Sequence, residues 1–285
     1  MAQTKYVPPS TVFVIDDDAV VLRRCRREYL QGTSLGVLTA EDLKTAVHYL
    51  EEGLPVGAVL ADLNFRPETQ YQERDLHNGL DLLAYIRKIR PEVPLYVMSM
   101  DAGDKGLQQM AHDQKVPIRD WYDKLAPRGS RSSPWARMER DLIVQALKAE
   151  SSFQARAAEL GESAVDLIND EKVAEKVRDI FNYPRLTYLQ QLPANSPYAL
   201  AKPLEVHCWQ EDARFRVAAP RVPLLMDVYG YDVVHAIDNL SEAIVSEKKA
   251  LDAAKNEGQL AGYALYLHQQ LGEYLADQPA GGSLK

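Results

Sequence analysis

The sequence predicts an α/β fold: a doubly wound, five-stranded parallel sheet, followed by a mostly helical α+β second domain. Three observations carry this. Val56 to Pro67 is an apolar run of strand length that ends in a single carboxylate, Asp62, with Pro67 punctuating the loop beyond it. Such a short continuous run reads as a strand buried on both faces. Thr11 to Ile15 is a second run of this kind, and it ends in Asp16-Asp17-Asp18. Finally, strand-like and helix-like segments alternate through the first half, which implies right-handed βαβ units. Open sheets of this class bind ligands beyond the carboxyl ends of their strands. Two strands ending in aspartates gather like charges there, so the cluster needs a cation, and hard oxygen ligands suit Mg²⁺.

Taken in order, residues 1–10 read as a lead without structure. Thr11–Ile15 is the first strand. Ala19–Leu30 is a helix, with Val20, Val21, Leu22, Cys25 and Leu30 as its apolar members and four arginines on its polar side. Leu35–Thr39 is a short strand. Glu41–Glu52 is an amphipathic helix through Leu43, Ala46, Val47 and Leu50 that stops at Gly53. The Asp62 strand comes next. Gly79–Arg90 is a helix closed by Pro91, Leu95–Ser99 a strand, Lys105–Asp113 a polar helix, and Asp120–Lys124 a short strand. A polar linker, Pro127–Pro134, leads to a long helix over Pro134–Leu160, capped by Ser133 with Pro134 at its first position. A break at Gly161–Ser163 precedes a helix over Ala164–Phe181. Residues 182–203 read as loop. Strands are expected at Leu204–Trp209, Phe215–Ala219 and Val222–Tyr229, then helices at Asp232–Ala254 and Gln259–Leu275, with a frayed tail. The domains implied are 1–150 and 151–285.

Composition sets limits. The 285 residues are 46% hydrophobic, enough for two cores. No apolar run reaches the length of a membrane span, and no signal-peptide pattern opens the chain. Two cysteines, Cys25 and Cys208, stand far apart and form no metal motif, which points to a reducing cytoplasm. The formal net charge of −8 is shared evenly by the two halves, and weighs against a nucleic-acid partner.

Asp16-Asp17 after one apolar strand, Asp62 after another, Ser99 after Leu95-Tyr96-Val97-Met98, and Lys124 after the last strand form a set of five strand-end positions. In order and approximate spacing this set resembles the response-regulator receiver domain of two-component signalling, whose sheet is flavodoxin-like. The resemblance covers about the first half of the chain. It implies that Asp62 accepts a phosphoryl group from a histidine kinase or phosphotransfer protein. It implies that Mg²⁺ is held by Asp17, Asp62 and the backbone carbonyl of Asn64, with Asp16 acting through water. Lys124 would pair with a phosphoryl oxygen, and Ser99 would move to the phosphate once formed. Trp121, three residues before the lysine, would turn inward as Ser99 shifts; the plainer reading is that Trp121, like Tyr122, is only packed.

The sequence departs from that family in three places. Glu68 to His77 is inserted beside Asp62, as a lid or a determinant of partner choice. Leu125 follows Lys124 where the family has proline. Asp18 adds a third acidic residue, which a helix cap explains.

In the second half, Phe215–Pro220, Pro223 and Leu240-Ser-Glu-Ala-Ile244 loosely resemble the small HicB-like antitoxin domain. His207-Cys208 is not a nucleophile pair, since adjacent strand residues face opposite ways. There is no Walker loop, GxGxxG or zinc pattern. The output expected of this half is an interaction module with an unknown protein partner, or a dimeriser giving a homodimer. The alternative is a DNA-binding transcription regulator, but its best recognition helix, Ala164–Phe181, is acidic.

Overall fold

The computed structural model describes residues 11–32, 35–124, 138, 185–211, 213–222, 224 and 227–277. The chain divides into two compact units, Met1–Tyr183 and Pro184–Lys285. The linker after Lys124, the long helix over 134–160 apart from Met138, the break at 161–163 and the helix over 164–181 lie outside the described residues.

In the first unit, β1 (Thr11–Ile15), β2 (Gly36–Ala40), β3 (Ala58–Ala61), β4 (Leu95–Ser99) and β5 (Ile118–Asp123) form one sheet in the order β2-β1-β3-β4-β5. All pairings are parallel. Every residue of β1, β3 and β4 is buried, because helices cover both faces. The helices are α1 (Ala19–Gly32), α2 (Leu43–Glu51), α3 (Gly79–Ile89) and α4 (Lys105–Asp113). Asp18 caps α1, its carboxylate accepting from Val20 N at 2.8 Å. Asp42 and Asn78 cap α2 and α3 in the same way. Tyr96 and Tyr122 stack at 6.0 Å between ring centres, and the Tyr29 hydroxyl donates to Met138 Sδ at 3.3 Å.

The strand order reverses between β1 and β3. β1 leads outward to β2, and β3 leads the other way to β4 and β5. This is the switch point at which flavodoxin-like sheets open a crevice. Ile15 pairs with Ala61, so Asp16 and Asp62 leave the sheet side by side.

The insertion after Asp62 is ordered. It forms two short 3₁₀ turns, Pro67–Thr69 and Gln72–Arg74, closed by a bridge between Tyr71 and Leu76. Leu76 is buried.

In the second unit, β6 (Arg185–Leu189), β8 (Leu204–Glu211), β9 (Arg214–Ala218) and β10 (Val228–Gly230) form an antiparallel sheet in the order β10-β9-β8-β6. β7 (Tyr198–Leu200) pairs with β11 (Leu275–Asp277). Helix α5 (Val233–Asn256) packs on β9 and β10, and α6 (Gly262–Tyr274) packs on α5. Gly230 permits a close approach of α5 to β10: a Cβ there would lie 2.3 Å from Ala236 N.

Three expectations need correction. The supposed loop over 182–203 contains β6 and β7, short strands whose flanking Pro and Asn residues disguise them. The strand expected from Val222 begins only at Val228. The supposedly frayed end contributes β11, held by pairing with β7, a partner distant in sequence.

Candidate functional site

The site grows from the ends of three strands. Asp62 N donates to Ile15 O at 2.8 Å, which ties the end of β3 to the end of β1. Lys124 N donates to Ser99 O at 3.2 Å and brings the residue after β5 to the same rim. Its side chain reaches across: Nζ lies 2.7 Å from Asp62 Oδ2 and 2.8 Å from Asp16 Oδ2. Arg24 of α1 donates to the Lys124 carbonyl at 3.2 Å and steadies that residue. The opposite Asp62 oxygen, Oδ1, accepts from Leu63 N at 2.8 Å.

Burial sets the electrostatics. Desolvation raises the Asp16 carboxyl from 3.8 to about 6, against the opposing pull of Lys124. It raises Asp62 as well, for the same reason and with the same opposition. Lys124 is desolvated too, yet its two carboxylate partners outweigh that and hold its pKa above the ordinary lysine value. Asp17 is different. Partial burial pushes it up, but hydrogen bonds and charge from Arg66 hold it below the usual carboxylate range.

Asp16, Asp17 and Asp62 each offer an oxygen, and these oxygens lie within 4.8 Å of one another. Three hard oxygen donors at that spacing fit Mg²⁺. Asn64 lines the same open pocket of about 680 Å³, together with Arg24, Arg66, His77, Met100 and Lys124. The Asn64 amide donates to Asp101 Oδ2 at 3.4 Å, which leaves its backbone carbonyl a separate group.

Ser99 is buried at the end of β4, and its Oγ accepts from Asp101 N at 3.2 Å. Trp121 sits half-buried on β5, the outermost strand, while Tyr122 is fully packed. The first unit therefore brings Asp16, Asp17, Asp62 and Lys124 together, with Ser99 one strand away.

Two features escaped the sequence reading. Arg66 binds Asp17 through Nε at 3.0 Å and backbone N at 2.8 Å. In the second unit, Asp252 accepts from Lys248 at 2.5 Å, His268 at 2.9 Å and Tyr198 at 2.7 Å. These partners lie on α5, α6 and β7; Lys248 stands four residues before Asp252 on α5, but no local spacing links His268 or Tyr198 to it. His207 pairs with Glu205 at 2.8 Å while Cys208 is buried, so the two neighbours do face opposite ways.

No family model matches the sequence, and no curated protein matches it. Solved structures do. A CheY-like response regulator receiver domain protein from Methanospirillum hungatei JF-1 is 15% identical, covering 49% of this chain and 98% of its own, with a TM-score of 0.38. The signal receiver domain of an HD domain-containing protein from Pseudomonas fluorescens Pf-5 is 18% identical, covering 55% and 99%, also at 0.38. A response regulator receiver domain protein from Clostridium thermocellum is 18% identical, covering 46% and 90%, at 0.33. Receiver domains of response regulators are thus what about half of the chain is similar to, and the described first unit has the flavodoxin-like sheet order β2-β1-β3-β4-β5.

Proposed function

We propose that the first unit is the phospho-acceptor of a two-component phosphorelay, with Asp62 as the acceptor. The observation that carries this is the contact of Lys124 with both Asp62 and Asp16 beside Asp17, at the switch point of the sheet.

In this reading an Asp62 carboxylate oxygen attacks the phosphorus of a phosphohistidine on a histidine kinase or phosphotransfer protein. The new bond is carboxylate oxygen to phosphorus. The bond broken joins phosphorus to the imidazole nitrogen, which leaves with the electron pair and takes a proton. Mg²⁺, when bound, neutralises the charge on the transferring oxygens. Asp17, Asp62 and the Asn64 carbonyl would hold it, with Asp16 acting through water. Lys124 pairs with a phosphoryl oxygen as a point charge, and its grip on Asp62 fixes the attacking group beforehand. Ser99 gives up Asp101 to hydrogen-bond the phosphate, and Trp121 follows. Such positioning and charge stabilisation account for most of the catalysis in phosphoryl transfer.

The signal would then pass to residues 184–285 as an interaction or dimerisation module. Tyr263, Leu265 and Tyr266, all exposed on α6, support that role. A cytoplasmic setting goes with this reading, and among the described residues no helix is long and apolar enough to cross a membrane.

The test is intact-mass measurement after incubation with acetyl phosphate and Mg²⁺. Gain of one phosphoryl group by the native chain and none by Asp62→Asn supports the proposal. Equal gain by both, or none by either, contradicts it.

A further inference from the structure

Arg66 commits both its backbone and its side chain to one of the three clustered carboxylates. Its N and Nε donate to Asp17 Oδ2 at 2.8 and 3.0 Å, and Nη2 donates to the Asp17 carbonyl oxygen. Thr69 Oγ1 lies 3.4 Å from the same Oδ2. The Asp17 side chain is 11% exposed but that of Arg66 is 61% exposed, so water reaches the pair from the arginine side.

Nor is Arg66 a stray surface arginine. It begins the inserted strap, whose other end is fixed to the helices. Arg74 donates to Glu51 of α2 at 3.0 Å, and the Tyr85 hydroxyl of α3 donates to that same Glu51 oxygen at 2.5 Å. The strap therefore lies folded between two anchors, one on Glu51 and one on Asp17.

The charges explain why a resident cation belongs here. Three carboxylates stand together, and Lys124 serves only Asp16 and Asp62. Arg66 serves the third. A guanidinium cannot give up its proton and offers no acceptor. Asp17 Oδ2 already accepts from Arg66 twice, so a divalent ion must either displace Arg66 from that oxygen or turn to Oδ1.

We infer that Arg66 competes with the divalent ion for Asp17, and that ion binding breaks the Arg66–Asp17 contacts and frees the strap over 66–77 at that end. The inference rests on the proposed function only in taking the acidic cluster as a divalent-ion site. It makes the insertion a reporter of ion occupancy, placed beside Asp62 where a phosphoryl donor must approach.

The test uses the full chain and Mn²⁺ as probe, with free ion counted by electron paramagnetic resonance. Arg66→Ala binds Mn²⁺ about fivefold more tightly than the native protein, the size expected for loss of one part-exposed ion pair. Arg66→Lys, which keeps the charge but loses the fork, falls between them. Amide exchange over residues 64–77 then separates displacement from a remote charge effect. Adding Mg²⁺ to the native chain speeds exchange at the Arg66 amide, which Asp17 protects. Equal or weaker Mn²⁺ binding by Arg66→Ala overturns the competition. Unchanged exchange with Mg²⁺ overturns the release, because the ion is then using another Asp17 oxygen. Absence of Mn²⁺ binding in every variant overturns both this inference and the divalent-ion site, whereas equal affinities overturn this inference alone.

Discussion

Asp16 is wholly buried, and its nearest cation is the lysine it shares with Asp62. Desolvation therefore raises its carboxyl from 3.8 to about 6. A carboxyl with a folded value above its unfolded one favours the native state while protonated. That contribution is complete below about pH 4 and is lost as pH rises through about 6. Asp62 shifts in the same direction. In EDTA, the thermal midpoint of the native protein should thus decline between pH 4 and 6. Asp16→Asn removes part of the penalty and leaves Lys124 paired with Asp62. We expect it to raise the midpoint at pH 7 by about 3 °C or more and to flatten the decline. A melting series across that range checks both, and an unchanged profile would count against the electrostatic account. Asp17 does not share this behaviour, because Arg66 already compensates it.

At the scale of elements, the site depends on how closely α3 approaches the end of β3. Gly79 N donates to Leu63 O at 2.9 Å. A Cβ on Gly79 would lie 1.7 Å from the Asp62 carbonyl oxygen. Backbone cannot yield as a flexible side chain can. Gly79→Ala is therefore expected to cost about 1–3 kcal/mol in urea unfolding and to displace Asp62. A substitution tolerated with full stability would show that the helix can retreat without harm.

The elements also show what the sequence made legible. β1, β3 and β4 were readable because a strand buried on both faces is a continuous apolar run. The caps Asp18 and Asn78 follow local chemistry and were equally accessible, Asp18 as an expected cap and Asn78 as a signal passed over. β7 and β11 were not, for each is three residues long and exists only through pairing across the unit. Arg66 gave no signal either. A basic residue before Pro67 is ordinary until the path of the strap brings it onto Asp17. In the Asp252 cluster the i,i+4 pairing with Lys248 was legible, but Tyr198 and His268 meet Asp252 only through the packing of α5, α6 and β7.

Across the whole molecule, each unit carries one buried cysteine. Burial pushes the Cys25 thiol up to about 12 and the Cys208 thiol up to about 11. The thiolate is the reactive form, so both should resist iodoacetamide at neutral pH until their unit opens. Labelling rates read by mass at the two positions then report the opening of each unit separately. Rapid native labelling at either position would contradict the packing described here.

The strand-end carboxylates, the bridging lysine and the ordered strap all converge on the chemistry of one side chain. The most direct test traps that chemistry where it occurs. The full chain is treated with acetyl phosphate and Mg²⁺, reduced with borohydride, digested and sequenced by mass spectrometry. An acyl phosphate is reduced to an alcohol, so the account predicts homoserine in place of aspartate at position 62. Homoserine at another aspartate, or at none, would contradict it.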